Sequence, residues 1–256
     1  MNKIVKDCSV YLKDKDFRID DIGFGDLKLC QEKKGFCYGI DSILLCDFVV
    51  KRSTNMEKSL SICDLGTGNG IIPIILSFKL PDSRLTGVEL QPDVYKLARY
   101  NCKINGLDNR INFFEGDVRR DDLLKGEKFQ TVVSNPPYMK ADSALLNADS
   151  GKAIARHEVS GTLQDFLYAG YRLLEKGGSY FMINRANRLA DIIYYGRHIG
   201  LEPKIIRMIH PFEDREANLV LCHMKKNGGR ELKVMEPLIV RNKDGNLTQE
   251  VNDMYD

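Results

Sequence analysis

Four consecutive residues, Asn135-Pro136-Pro137-Tyr138, could perform chemistry on a flat group that carries an amine. They follow a strand-like run at 129–134. The Asn135 side-chain oxygen and the Pro136 carbonyl can both accept hydrogen bonds from one NH2 group, and the prolines hold the loop in one shape. Tyr138 can stack on a planar substrate. Two fixed acceptors would aim the nitrogen lone pair and stabilise the positive charge that it gains during attack on an electrophile. A proline-rich turn without a ligand is the alternative.

About 70 residues upstream, Asp64-Leu-Gly-Thr-Gly-Asn-Gly70 lies between a strand-like segment and a helix-like one. Its glycines allow a ligand to approach the backbone, and the helix N-terminus offers free N–H groups to a carboxylate or phosphate. The spacing is G-x-G-x-G, whereas dinucleotide folds prefer G-x-G-x-x-G. Glu89, which ends the next predicted strand, can accept hydrogen bonds from both hydroxyls of a ribose, as in NAD or S-adenosylmethionine. Asp117 can accept a bond from a cofactor adenine, or cap a helix over 118–124.

Alternating strand and helix patterns position these residues. The predicted strands are Leu60–Asp64, Arg84–Leu90, Ile111–Gly116, Thr131–Ser134, Ser179–Ile183, Pro203–Ile209 and Leu219–Met224. Thr162-x-x-Asp165 predicts the start of a helix, and Gly177-Gly178 predicts its end. Repeated β-α units indicate an α/β fold with helices on both faces of the sheet. We therefore predict a Rossmann-like, mostly parallel sheet of seven strands, in which the last two form an antiparallel hairpin.

Three segments are expected along the chain. Residues 1–50 form an N-terminal extension of short strands and a helix that begins near Asp41 and covers the cofactor loop. Residues 51–226 form the catalytic domain. Residues 227–256 are polar and form a loosely held tail or a small edge addition.

Composition excludes several classes of protein. The 256 residues are 43% hydrophobic, enough for a full core, and a net charge of +2 is too small to indicate a nucleic-acid packaging protein. The seven Cys include no C-x-x-C pair, so we predict buried thiols and no metal site. The N-terminus lacks the apolar core of a signal peptide, and no apolar run reaches membrane-span length. We expect a soluble, cytoplasmic protein without a membrane partner or a stable protein partner.

Together, Asp64–Gly70, Glu89, Asp117 and Asn135–Tyr138 resemble the class I, S-adenosylmethionine-dependent amino-methyltransferases. Phe36–Leu45 and His210–Cys222 narrow the resemblance to the bacterial family that methylates N6 of adenine-37, beside the anticodon of a valine tRNA. It covers roughly residues 20–235. It implies an enzyme of the class I methyltransferase fold, with S-adenosylmethionine as cofactor and a tRNA anticodon loop as substrate.

The resemblance also assigns residues. Asn135, Pro136, Pro137 and Tyr138 are the expected catalytic residues. The expected cofactor contacts are Tyr38, Gly39, Asp41, Asp64, Gly66, Thr67, Gly68, Gly70, Glu89, Leu90, Asp117, Val118 and Asn135. For Tyr38, Gly39 and Asp41, helix capping and turn packing are equally compatible with the sequence.

Basic residues near Asn135–Tyr138, called the clamp below, are candidate RNA contacts. The 139–160 segment has little periodicity, which is typical of a substrate lid. Arg185 and Arg188 start a predicted helix at the carboxyl ends of the strands, where they could contact RNA phosphates. The candidates in that segment are Lys140, Lys152, Arg156 and His157. A solvated loop and surface ion pairs are the alternatives.

The sequence is also compatible with other substrates and other classes of protein. The same amine chemistry serves enzymes acting on guanine N2 of ribosomal RNA, glutamine N5 of proteins and adenine N6 of DNA. Residues 1–50 look too short for the helical partner domain of glutamine methyltransferases, and no segment is left for a DNA-recognition domain. The glycine spacing and Asn135–Tyr138 argue against an NAD-linked oxidoreductase. A binding module that lost its activity is disfavoured because every cofactor and clamp position is filled.

Overall fold

The structure is a computed structural model that describes residues 16–33, 39–53, 59–137 and 161–255. Its strands are β1 Phe17–Asp21, β2 Lys28–Glu32, β3 Ser61–Leu65, β4 Arg84–Glu89, β5 Ile111–Glu115, β6 Phe129–Ser134, β7 Leu174–Arg185, β8 Leu201–Phe212, β9 Leu219–Lys226, β10 Lys233–Val234 and β11 Leu238–Arg241. Its α-helices are α1 Ile40–Ser53, α2 Ile71–Lys79, α3 Pro92–Ile104, α4 Leu163–Leu173, α5 Leu189–Ile199 and α6 Gln249–Asn252. Short 3-10 helices cover Ala186–Arg188 and Asp253–Tyr255.

One large sheet forms the centre of the molecule, with strand order β10-β8-β9-β7-β6-β3-β4-β5 and β11 also on β8. Strands β3 to β7 run parallel to their neighbours among themselves, and β9 is antiparallel to both β7 and β8. The α/β fold and the antiparallel hairpin predicted from the sequence are confirmed. Because β3, β4, β5, β6 and β7 end at the same side, the residues that follow them meet along one carboxyl edge.

The sheet has nine strands rather than the seven predicted. The two additional strands, β10 and β11, come from the polar C-terminal segment and pair in parallel with β8. They are two and four residues long, too short for a periodic pattern to indicate them. Their pairing covers backbone groups that β8 would otherwise expose as an edge strand.

Side chains alternate between the two faces of β7 and fill two hydrophobic clusters. Phe181 and Ile183 join the cluster under α1 and α2, whereas Tyr180 and Met182 join the cluster under α4 and α5. The first cluster also includes Phe24 from the segment after β1 and Met254 near the C-terminus. The division into 1–50, 51–226 and 227–256 stays a prediction, but described residues from all three segments share this core.

Local sequence signals explain several helix ends. Thr162 caps α4 through a reciprocal capping box with Asp165, as Thr162-x-x-Asp165 predicts. Pro92 occupies the first turn of α3, where its missing N–H is tolerated. Gly200 ends α5 in the left-handed region with φ of 93°.

Five cysteines in the described residues are buried and free, which confirms the prediction for these positions. They are Cys30, Cys46, Cys63, Cys102 and Cys222. Within the described ranges no helix combines the length and apolarity needed to cross a membrane. The same ranges contain no group of three or more His, Cys, Asp or Glu that could hold a metal ion.

Candidate functional site

The turn after β3 is built from glycines in conformations that other residues rarely adopt. Gly66, Gly68 and Gly70 have φ values of 71°, 59° and 86°. The Thr67 N–H donates to the Val88 carbonyl over 2.9 Å, which ties the turn to β4. A Cβ on Gly66 would lie 2.9 Å from the Phe166 ring, whereas a Cβ on Gly68 would meet no heavy atom within 4 Å. The backbone at Gly68 therefore faces open space at the carboxyl edge.

Glu89 is fixed by the same turn. Its Oε2 accepts the Gly68 N–H over 3.0 Å and its Oε1 accepts the Gln91 N–H over 2.8 Å. Burial raises the pKa of Glu89, and these backbone N–H groups lower it. A carboxylate has about four lone-pair sites, so Glu89 keeps acceptor capacity for ligand hydroxyls. The half-buried Leu90 follows it.

Asp64, near the end of β3, is a buried carboxyl group whose oxygens lack hydrogen-bond partners among the described residues. It is 1% exposed. Burial raises its pKa from 3.8 to about 7. The Thr67 hydroxyl, which is near the carboxyl but does not meet hydrogen-bond geometry, lowers the pKa, and the Glu89 charge raises it. The Thr67 hydroxyl is also without a hydrogen-bond partner within the described ranges. Unsatisfied buried acceptors of this kind fit a ligand that brings its own cationic or N–H donor.

Asn135 follows β6 at the same edge and contacts α1. Its Nδ2 donates to Asp41 Oδ2 over 3.3 Å. Since a carboxylate only accepts hydrogen bonds, this contact holds the nitrogen of the amide toward Asp41 and turns its oxygen the other way. Gly39 allows the arrangement, because a Cβ there would lie 2.5 Å from Asp41 Oδ1.

The backbone beneath the clamp is supported by a buried hydrogen-bond chain. The Ser134 hydroxyl lies 2.7 Å from the Tyr180 hydroxyl, which donates to the Phe166 carbonyl over 3.3 Å. Pro136 is buried and Pro137 is exposed. The end of β6 is therefore fixed by hydrogen bonds from its buried side, while Pro137 faces solvent.

A small cleft adjoins the two prolines. It is lined by Pro136, Pro137, Gly161, Leu163, Asn184, Arg185 and Arg188. Both predicted arginines thus lie beside the clamp. The Arg188 guanidinium pairs with Asp191 over 2.8 Å, and Arg185 is exposed.

Asp117 and Val118 follow β5, the third strand of the predicted ligand edge. Residues 118–119 and 121–126 form turns, so the alternative of a capped helix over 118–124 is wrong. Instead, the Arg119 N–H and guanidinium donate to the Asp117 carboxylate, which lowers the pKa of that carboxyl. Val118 is buried against the α4 and α5 side of the sheet.

Some predicted site residues lie outside the described residues, and their roles stay predictions. They are Tyr38, Tyr138, Lys140, Lys152, Arg156 and His157.

The sequence reading missed Asn101, a fully buried residue on α3. Its amide nitrogen donates to the Asn69 carbonyl over 2.9 Å and to the Cys30 carbonyl over 3.1 Å, and its oxygen accepts the Cys30 N–H over 2.8 Å. It therefore ties the glycine turn to β2. The signal was present: Asn101 lies four residues after Leu97, on the apolar face of the helix, where a polar residue requires partners.

Comparison with known proteins identifies the fold and the family. The model of the methyltransferase small domain family matches residues 42–193. A tRNA1(Val) (adenine(37)-N6)-methyltransferase from Porphyromonas gingivalis is 29% identical over 165 residues, which cover 63% of this chain and 64% of the relative. A release factor glutamine methyltransferase from Vibrio cholerae is 35% identical over 130 residues, or 45% of either chain.

This chain thus spans less than two-thirds of the length of these curated relatives. A solved structure, described as a predicted O-methyltransferase from Agrobacterium tumefaciens, superposes with a TM-score of 0.66 at 23% identity, covering 84% of this chain and 95% of that one. The likeness to this structure is one of fold.

Proposed function

This chain belongs to the methyltransferase small domain family, and we propose that it transfers a methyl group from S-adenosylmethionine to the N6 amine of an adenine in a tRNA anticodon loop. The observation that carries the proposal is the contact of Asn135 Nδ2 with Asp41 Oδ2. It leaves the Asn135 oxygen as an oriented acceptor beside the Pro136 carbonyl, which is the arrangement that an attacking NH2 group requires.

The residues around the glycine turn fit the proposed cofactor. The N-terminus of α2 suits its carboxylate, and the unsatisfied Asp64 suits its ammonium group. Glu89 has lone pairs left for ribose hydroxyls, and Asp117 is the candidate acceptor for the adenine amine. When bound, S-adenosylmethionine supplies an electrophilic methyl group on a sulfonium.

The chain contributes acceptors rather than a strong base. The Asn135 oxygen and the Pro136 carbonyl accept both hydrogens of the target amine, which orients its lone pair. They also stabilise the positive charge that the nitrogen gains in the transition state. The proton becomes more acidic after transfer, so no base is needed at the start. Tyr138 is the proposed stacking surface for the base.

An anticodon loop suits a site of this form. Its bases are unpaired, so swinging one into a pocket costs less than extracting a base from a duplex. Arg185 and Arg188 line the cleft beside the clamp, where they can contact the phosphates of a bent loop. The name of the Porphyromonas gingivalis relative supports tRNA as the substrate class.

The proposal is tested with an unmodified tRNA transcript and S-adenosylmethionine labelled in the methyl group. We expect the label in N6-methyladenosine after nucleoside mass spectrometry. Asn135→Ala should lower the rate on the order of 100-fold, as loss of a transition-state hydrogen bond does. No labelled nucleoside from a full set of unmodified tRNA transcripts, valine tRNAs included, would contradict the proposal.

A second candidate keeps the chemistry and changes the substrate to a protein glutamine. It is favoured by the 35% identity to the release factor enzyme over 130 residues. The same labelled assay with release factor in place of tRNA separates the two. Label in the protein and none in tRNA would favour this candidate.

A further inference from the structure

We infer that Asn184, at the end of β7, reads the ring nitrogen next to the target amine and so selects which base is methylated. This inference rests on the proposed function and names a specificity residue for it. Three observations support it: Asn184 lies beside the clamp, its amide has a fixed orientation, and the acceptor that its nitrogen contacts is a weak one.

Asn184 lies beside the clamp. Strand β7 pairs in parallel with β6, and the last matched pair is Ser134 with Met182. Two residues further along each strand, Pro136 and Asn184 line the same cleft. Asn184 belongs to the same face of β7 as Tyr180 and Met182, the face toward α4.

The amide of Asn184 has a fixed orientation. Its Oδ1 accepts the backbone N–H of Arg185 over 2.8 Å. The oxygen is therefore taken up by the backbone, and the nitrogen is turned away from it.

The nitrogen lacks an adequate acceptor. Asn184 is 6% exposed, and within the described part of the chain the contact of its Nδ2 is with the Met182 sulfur over 3.9 Å. A thioether is a weak acceptor, so an amide N–H buried with this partner is poorly satisfied. A ligand atom in the cleft that accepts a hydrogen bond would satisfy it.

Adenine presents such an atom on either side of its amine. N1 is bonded to the C6 carbon that bears N6, N7 lies on the other side of the amine and is bonded to C5, and both accept hydrogen bonds. A base whose N6 is held by Asn135 and Pro136 turns one of them toward the neighbouring strand. Guanine carries an N–H donor at N1 beside its amine, which would face the Asn184 donor. A donor at this position thus favours adenine over a guanine that presents its N1 edge.

The experiment uses tRNA in which the target adenine is replaced by 1-deazaadenine or by 7-deazaadenine, each of which has C–H in place of one ring nitrogen. We expect one analogue to lower kcat/KM of the unaltered enzyme about 5- to 10-fold relative to adenine, the size of one neutral hydrogen bond. Asn184→Ala should methylate adenine and that analogue at equal rates. Asn187→Ala, an exposed neighbour in the 3-10 helix, is the control and should discriminate like the unaltered enzyme.

Other outcomes of this experiment also bear on the inference. If the unaltered enzyme treats both analogues like adenine, or if Asn184→Ala keeps the discrimination, the inference is wrong. Because the readout is a ratio between substrates, partial misfolding of Asn184→Ala lowers both rates and leaves the ratio interpretable. If Asn184→Ala does not fold, Asn184→Ser, which keeps a donor, should retain the discrimination, and its loss there contradicts the inference. Failure of the proposed function would differ: the unaltered enzyme would then leave natural tRNA unmethylated.

Discussion

Asn135 Nδ2 lies 3.3 Å from Asp41 Oδ2, so a helix from the N-terminal segment orients a side chain at the end of β6. From the sequence alone, Asp41 is predicted to contact the cofactor and Asn135 to be both a catalytic residue and a cofactor contact, and no contact between the two is predicted. Their proximity indicates that Asp41 also has a positioning role, because it distinguishes the two ends of an amide that are nearly equal in shape.

Replacing Asp41 should therefore impair catalysis through Asn135. In Asp41→Asn, the new side chain can offer Asn135 either a donor or an acceptor, so the amide of Asn135 loses its single orientation. We expect kcat to fall about 10- to 100-fold, the size of a hydrogen bond to a charged group. Steady-state kinetics with tRNA should show the loss in kcat. An unchanged kcat with a raised KM for S-adenosylmethionine would instead make Asp41 a cofactor contact only.

A side chain at Gly68 should weaken cofactor binding more than folding. Gly68 has φ of 59° and no heavy atom near a Cβ, so alanine there adds backbone strain and a methyl group in the open space of the turn. Gly106, after the C-terminus of α3, has φ of 65° and equally open surroundings. Both Ala variants should lose about 1–2 kcal/mol of stability.

Calorimetric titration with S-adenosylhomocysteine separates the two variants. Gly68→Ala should bind at least 10-fold more weakly than Gly106→Ala, because only the former has a methyl group in the turn. Equal affinities would mean that the ligand does not approach Gly68.

The buried Asp64 predicts an unusual dependence of stability on pH. Burial raises its pKa from 3.8 to about 7, so the folded protein binds the proton more tightly than the unfolded chain does. Its contribution to stability is therefore complete below pH 3.8 and is lost as the pH rises through about 7. In the ligand-free protein this loss is on the order of a few kcal/mol.

Urea unfolding between pH 5 and 8 checks this prediction. Asp64→Asn removes the titration, so the difference in free energy of unfolding between variant and parent should shift in favour of the variant as the pH rises. A constant difference would show that Asp64 titrates alike in both states. S-adenosylmethionine should reduce the pH dependence, because its ammonium group favours the ionised carboxylate.

The C-terminal segment is held by an ion pair that should contribute to stability. Arg207 donates to both oxygens of Glu250, over 2.7 and 2.9 Å, and the Arg207 side chain is 10% exposed while that of Glu250 is 43% exposed. Glu250→Ala leaves the guanidinium buried without its carboxylate, so we expect a loss of about 2–3 kcal/mol. Adding Arg207→Met should recover most of it, as judged by urea unfolding. A double variant as unstable as the sum of both single variants would contradict this account.

Most strands and helices could be predicted from the sequence where the apolar pattern was clear and its ends were marked. Buried strands such as β3 (Ser61–Leu65) and capped helices such as α4 carry apolar patterns and end signals together. The glycine pair at 177–178 misled the reading: it lies inside β7, which begins directly after α4 ends at Leu173. Glycine permits a helix end without requiring one, and here φ of 73° at Gly177 accompanies irregular pairing with β6.

The individual motifs of the site were predictable from the sequence, but the contacts between residues from distant segments were not. The glycine turn and the residues at strand ends follow from local patterns, because parallel strands bring their carboxyl ends together. The contacts of Asn135 with Asp41 and of Asn101 with Cys30 span 94 and 71 residues. Such pairs depend on how helices pack on the sheet, and a single sequence does not carry that information. Asn184 was missed because a polar residue ending an apolar strand is common.

The packing of the last residues has a kinetic consequence. Tyr255 stacks on Phe24 with ring centroids 5.5 Å apart, and the 3-10 helix Asp253–Tyr255 contacts α1, which carries Asp41. These contacts join nearly opposite ends of the described chain. Because closing a long loop costs more chain entropy than forming a local contact, we expect them to form late. We therefore expect the packing of α1, which orients the Asn135 amide, to be completed late in folding. Recovery of methyl transfer after dilution from denaturant should lag behind recovery of the central sheet.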